Sequence, residues 1–205
     1  MIGVREVSAS APRSRHRHLH WGATAVESTT PLAGDELLSG VGLTATRAIT
    51  IGAPAAAVWP WIIQLGQGRG GFYSYDELEN LVGCHLHSAE RVVPEWQHLD
   101  AGDEVRLHPA VALTVARVEP GRVLVLRGAV PMGSSPAPYD FTWAFVLVDG
   151  PDGNTRLVVR ERYEYLRWWA SAVVEPVEVV SAVMSRRMLL SIRERVERPG
   201  VPRAG

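Results

Sequence analysis

Between residues 155 and 165 the chain reads TRLVVRERYEY, and alternation divides it into two faces. Thr155, Leu157, Val159, Glu161, Tyr163 and Tyr165 fall on one side; Arg156, Val158, Arg160, Arg162 and Glu164 fall on the other. The first side is the more apolar and is predicted to face inward, which carries Glu161 with it. A carboxylate in an apolar interior either holds its proton to a higher pH or takes an arginine partner. Arg127 has a similar odd placement in line with Val123 and Val125, although both faces of that stretch are apolar and its phase is ambiguous. A buried Glu161–arginine pair would orient the polar end of a ligand. The competing reading is a bulge that resets the phase and leaves Glu161 solvated or simply ion-paired.

A second cluster is GGFYSYDELEN, residues 70–80. Tyr73, Tyr75, Asp76 and Glu79 fall within two helical turns, and Asp76 and Glu79 share a face. Such carboxylates suit acid–base work with a tyrosine as proton donor. The plainer reading is that Asp76 and Glu77 favour a helix N-terminus while Phe72 and Tyr75 pack. The catalytic candidates are therefore Glu161, Tyr73 and Asp76. The preceding glycine-rich loop, 66–71, has no lysine and joins two helical stretches, so it does not read as a nucleotide loop. His85 and His87 with Glu90 and Glu95 offer an incomplete zinc set, and no metal or other cofactor is expected. Phe141, Trp143, Phe145 and Leu147 share one strand face that either shapes a pocket or forms ordinary core. Trp96 reads as an anchor for an irregular segment.

These residues need elements to hold them. A strand is predicted over 44–51, followed by a short or kinked helix opened by Pro54 and containing Pro60. A second helix is predicted from Ser74 or Tyr75 to Gly83. Strands over 104–108, 112–118, 122–128, 141–148 and 155–165 are separated by turn chemistry at Glu119-Pro120-Gly121 and Gly150-Pro151-Asp152-Gly153-Asn154. A long helix over 168–197 closes the chain, with Val173, Val177, Val180, Met184, Met188, Ile192 and Val196 as its apolar stripe. The predicted class is α+β: a curved antiparallel sheet wrapped around a long C-terminal helix. Residues 1–20 read as a flexible arm, 21–198 as one domain and 199–205 as a loose tail.

Composition narrows the functions. The chain of 205 residues is 46% hydrophobic and 21% charged, which suits a globular domain. Its formal charge of −1 provides no field for nucleic acid, and none is expected as a partner. All 21 basic residues are arginine, so no side-chain amine exists for Schiff-base chemistry. The single cysteine, Cys84, excludes an internal disulfide and suits a reducing compartment. The N-terminal stretch lacks an apolar core, and no run reaches the ~18 apolar residues of a membrane span. A cytoplasmic location without stable membrane insertion is expected, as monomer or homodimer.

The motifs add a resemblance. Residues 46–54, TRAITIGAP, followed by Val58-Trp59-Pro60-Trp61, resemble the opening of the SRPBCC superfamily, which includes START domains, birch-pollen-allergen-like proteins and polyketide cyclases. GQGRGGFYSYDELENLVG at 66–83, His87-Ser88-Ala89, Pro94-Glu95-Trp96-Gln97, Gly102-Asp103, Glu175-Pro176 and residues 184–189 are similar to an uncharacterised bacterial group within it. The resemblance spans roughly 21–197. It implies a helix-grip fold with a hydrophobic pocket, and the ligand-binding candidates for a lipid or polyketide-like molecule there are Tyr73, Tyr75, Trp96, Phe141, Trp143, Phe145, Glu161, Tyr163, Met184 and Met188. A hydrophobic small-molecule binder is the first expectation. A cyclase or dehydratase using acid–base residues is the second, and an interaction module without ligand the third.

Overall fold

The computed structural model describes residues 18–75, 87–130 and 136–198. Six strands form one antiparallel sheet: β1 (Val41–Ile51), β2 (Glu104–His108), β3 (Val111–Glu119), β4 (Val123–Gly128), β5 (Tyr139–Asp149) and β6 (Thr155–Tyr165). Their order across the sheet is β1-β6-β5-β4-β3-β2. The first strand thus pairs with the last, and the rest form a meander. Among the described residues, helices α1 (Ala25–Thr29) and α2 (Ala55–Ile63) precede the long one. Helix α3 (Ala170–Val196) lies against the inner face of the curved sheet, giving the helix-grip arrangement. The helix expected over 74–83 falls largely on residues outside those described.

Strand boundaries follow from alternation and turn chemistry, and all five predicted meander strands form. Strand β1 is longer than the expected 44–51 because Val41–Leu43 still pair with the end of β6. Pro54 is the N-cap of α2, and Pro60 is tolerated inside a helix of only nine residues. Between the sheet and α3 the core is continuous. Ile49, Ile51, Phe145, Leu157 and Val159 of the sheet meet Val58, Trp61 and Ile62 of α2 and Met188, Leu189, Ile192 and Val196 of α3.

The apolar stripe of α3 departs from the expectation in its N-terminal half. Met188, Ile192 and Val196 are buried, but Val177 and Val180 are exposed. The residues that face the sheet there are Val174, Glu178, Ala182 and Ser185. When valines occur nearly all round a helix, their period cannot say which side is buried. Here the decision comes from the sheet, which presents charge at that level.

The outer face of the sheet is also covered. Residues 18–40, most of which carried no element in the sequence reading, form a strap around the free edge of β1. The Ala48 amide donates to the Trp21 carbonyl across that edge at 3.1 Å, which occupies a backbone row otherwise open to pairing. Gly22 makes the crossing possible: its φ is +71° and an added Cβ would lie 2.1 Å from the Ala48 oxygen. Helix α1 then begins with a capping box, in which Thr24 accepts from the Glu27 amide and Glu27 accepts from the Thr24 amide. Beyond it, Ala33 and Leu37 pack on Val123, Val125 and Ala144 of the outer face.

Candidate functional site

Strand pairing places Ala45 opposite Glu161 and Arg47 opposite Val159, so both charged side chains point inward. Glu161 is 1% exposed and Arg47 is fully buried. Arg47 Nη1 donates to Glu161 Oε1 at 2.8 Å, and Nη2 donates to Oε1 of Glu178 on α3. The third guanidinium edge, Nε, donates to the His18 carbonyl at 3.1 Å. His18 Nε2 lies 2.9 Å from Glu178 Oε2, which ties the start of the strap into the same cluster.

Glu161 receives further donors. Ser181 Oγ lies 3.0 and 2.8 Å from its two oxygens, Ser185 Oγ lies 2.9 Å from Oε1, and the Tyr163 hydroxyl lies 3.2 Å from Oε2. Its acceptor positions are therefore taken by its own protein. The inward orientation follows the strand alternation, no bulge resets the register beside Glu161, and its buried arginine partner is Arg47. Arg127 is not the partner: it points outward and pairs with Asp140 at 2.7 Å.

Electrostatics separate the members of this cluster. Burial pushes the Glu178 carboxyl above its ordinary value, against the opposing pull of Arg47 and His18. Burial, reinforced by the charge of Glu161, also drives the Tyr163 phenol well up. A carboxyl with a raised folded-state pKa favours folding below the unfolded value of ~4.3, and that contribution is lost as pH climbs through the folded value. Glu178→Gln, which retains the shape in a neutral form, is expected to match or exceed the parent in urea midpoint at about pH 7.5, with the advantage shrinking toward pH 5. An equal loss at both pH values would contradict this.

Tyr73 belongs to a different network. It is 1% exposed, and its hydroxyl accepts from Gln64 Nε2 at 2.7 Å. Gln64 Oε1 in turn accepts from the Val93 amide and from Gln97 Nε2, both at 3.1 Å. An added Cβ on Gly70 would lie 2.7 Å from the Tyr73 hydroxyl, so a residue without a side chain is required there. Arg195 stands over the Tyr73 ring at 5.0 Å from its centre. Burial pushes this phenol up as well, so it holds its proton tightly. Arg195 and Ser185, the helix positions that touch Tyr73 and Glu161, are ~15 Å apart along α3. The two catalytic candidates do not form a dyad. Asp76 lies outside the described residues, as do Glu79, Cys84 and His85.

The aromatic candidates converge better. Tyr139, Phe141, Trp143 and Phe145 line the inner face of β5, and Tyr163 stands opposite Phe141. Ring centres are 4.7 Å apart for Phe141–Tyr163, 4.8 Å for Trp143–Phe145 and 6.0 Å for Phe72–Trp143. Phe145, Tyr163 and Met188 are buried, whereas Phe141, Trp143 and Met184 keep part of their surface open. The indole Nε1 of Trp143 is inaccessible to solvent and has no hydrogen-bond partner among the described residues. Tyr75 is exposed, and Trp96 sits in a short 3-10 turn (Pro94–Trp96) whose carbonyl accepts from Arg69 at 2.7 Å.

No protein-family model matches the chain, and no curated protein does. The chain is similar to several solved structures. MLL2253 of Mesorhizobium loti is 14% identical, with 78% of this chain and 100% of that one covered and a TM-score of 0.45. CalU16 of Micromonospora echinospora is 16% identical, with 75% and 83% covered and a TM-score of 0.37. DynU16, described as a putative protein in the dynemicin biosynthetic locus, is 15% identical with a TM-score of 0.39. This chain covers only 46% of DynU16.

Among the described residues, no group of three or more metal-ligating side chains stands together, and no helix is long and apolar enough to cross a membrane. The residues missed by sequence reasoning are Arg47, Glu178, Ser181, Ser185 and His18. Arg47 carried the same signal as Glu161, since Ala45, Arg47, Ile49 and Ile51 alternate as an inward set. Glu178, Ser181 and Ser185 carried another, a polar i, i+3, i+7 row.

Proposed function

We propose that the chain binds an apolar, planar small molecule of polyketide-like chemistry along the aromatic inner face of β5. The observation that carries this reading is the Trp143 indole N–H, a buried donor in an aromatic wall without a partner among the described residues. Buried donors are nearly always satisfied, and leaving one unmet costs about 1–3 kcal/mol. A ligand carbonyl or hydroxyl oxygen would meet it while its rings lie against Phe141 and Trp143. The Arg47–Glu161–Glu178 cluster would then hold α3 to the sheet beside the ligand.

The acid–base alternative draws less support. Glu161 is surrounded by four donor residues, and both Tyr73 and Tyr163 hold their protons more tightly than an ordinary phenol. Titration with alizarin, a dihydroxyanthraquinone, tests the binding reading through quenching of tryptophan fluorescence. Saturable one-to-one binding is expected. Trp143→Phe preserves the aromatic surface and removes only the N–H, so it should weaken binding roughly 2- to 10-fold without a matching loss of stability. Absence of saturable binding by the parent protein to alizarin and to a panel of lipophilic dyes would reject the reading.

A further inference from the structure

The first half of α3 buries polar groups beside Val174 and Ala182 and exposes apolar ones. The side turned to the protein carries Glu178, Ser181 and Ser185, all within hydrogen-bond reach of Arg47 or Glu161. The side turned to water carries Val177, Val179, Val180 and Val183, each at least half exposed, with Val180 at 58%. Just before the helix, Trp168 is 93% exposed and Leu166 is 55% exposed. A surface helix gains stability by the opposite arrangement, so these valines contribute little to folding. An exposed apolar patch of this extent marks an interaction surface.

Charge identifies the occupant. Arg167 stands at one end of the patch, between Leu166 and Trp168. Arg186 and Arg187 follow Val183 by three and four residues and close the other end on the same side. Arg186 is exposed, with its guanidinium 5.5 Å from the centre of the Trp21 ring, and Arg187 lies 3.6 Å from Glu194. The nearest acid on the first half, Glu175, is half-buried, with its charge felt by Tyr165. Two copies packed antiparallel through this patch would place Arg167 of one beside Arg186 and Arg187 of the other. Packed in parallel, they would oppose each arginine to itself. Like charges thus meet at both ends of either pairing. An anionic lipid surface satisfies both features, since valines and Trp168 enter the headgroup boundary while the flanking guanidinium groups remain among phosphates.

We infer that the corner at Leu166–Trp169 and the first half of α3 dock the protein peripherally on an anionic lipid surface. This stands on exposure and charge placement and is independent of the ligand reading above. It is a surface contact, not a span.

Co-sedimentation of the full chain with two vesicle types tests it: phosphatidylcholine alone, and phosphatidylcholine containing phosphatidylglycerol. Binding is expected only with the anionic vesicles and should fall steeply between low and high salt. Trp168→Ser with Val180→Ser, both at exposed positions, should cut partitioning about tenfold or more with the melting temperature unchanged. Arg167→Gln should weaken binding roughly fivefold and reduce its salt dependence. Equal sedimentation of parent and variants would overturn the inference, as would absence of binding to both vesicle types. A dimer seen by light scattering and dissolved by the serine variant would overturn it too, by assigning the patch to a second copy.

Discussion

Arg47→Met is expected to destabilise the protein by about 3–5 kcal/mol, the cost of leaving buried charge without its partner. Among the described residues, Arg47 is the cation that Glu161 and Glu178 both contact, and all three side chains are at most 2% exposed. Methionine fills much of the same volume, so the loss measures charge compensation more than packing. At this chain length the change corresponds to a fall in melting temperature on the order of 10 °C. The damage should depend on pH in a stated direction. Burial already raises the Glu178 carboxyl, and removal of Arg47 takes away the principal force opposing that rise. The variant should therefore recover part of its deficit when the pH is lowered from about 7.5 to about 5, since protonation then neutralises the abandoned Glu178 carboxylate. Combining Arg47→Met with Glu161→Gln and Glu178→Gln should restore stability further, because no net charge then remains at the three positions. Urea denaturation at two pH values reads all of this. A deficit independent of pH, and unrelieved in the triple variant, would mean that Arg47 acts through shape and not through charge.

The sheet and the long helix were legible because their signals are local. Strands β2 to β5 each end at or just before Gly, Pro or Asp, and β6 alternates along its whole length. The inward turn of Glu161 was legible for the same reason. Its partner was not, although Arg47 alternates just as clearly. Their meeting depends on β1 pairing with β6, two strands with the other four between them in sequence. Periodicity within a segment contains no information about which distant segment lies beside it. The helix stripe failed differently. Val173, Val177 and Val180 satisfy the helical period, but so do Val174, Glu178, Ser181 and Ser185. The choice between the two rows is made by Arg47 and Glu161 on the sheet. The strap was overlooked because it has few large apolar residues, and the capping box at Thr24-x-x-Glu27 was its one local mark.

That strap carries the second large prediction. Arg160 is 3% exposed and reaches outward from β6, opposite Thr46 of β1. Its guanidinium donates to Thr46 Oγ1 at 2.9 Å, to the Glu27 and Thr30 carbonyls at 2.6 and 3.0 Å, and to Asp35 Oδ2 at 2.6 Å. Neighbouring residues of β1 thus serve opposite faces, with Arg47 binding α3 inside and Thr46 helping to orient Arg160 outside. Arg160→Met should cost about 3 kcal/mol, because several acceptors lose a charged donor at once. The effect should also be regional. Amide hydrogen exchange should accelerate over residues 22–38 while β4 and β5 retain most of their protection. Among the contacts that then remain, beside Arg162 donating to the Asp35 carbonyl, is the Arg156–Glu27 pair at 2.7 Å, in which Arg156 holds the Glu27 carboxyl down to about 2. A carboxyl depressed in the folded state contributes stability above the unfolded value of ~4.3 and loses it as pH falls toward the folded one. Acid should therefore release the strap of the variant while the sheet remains protected, whereas the parent keeps both until lower pH. If exchange instead accelerates uniformly across all six strands, the strap folds with the sheet as one unit and Arg160 is part of the global core.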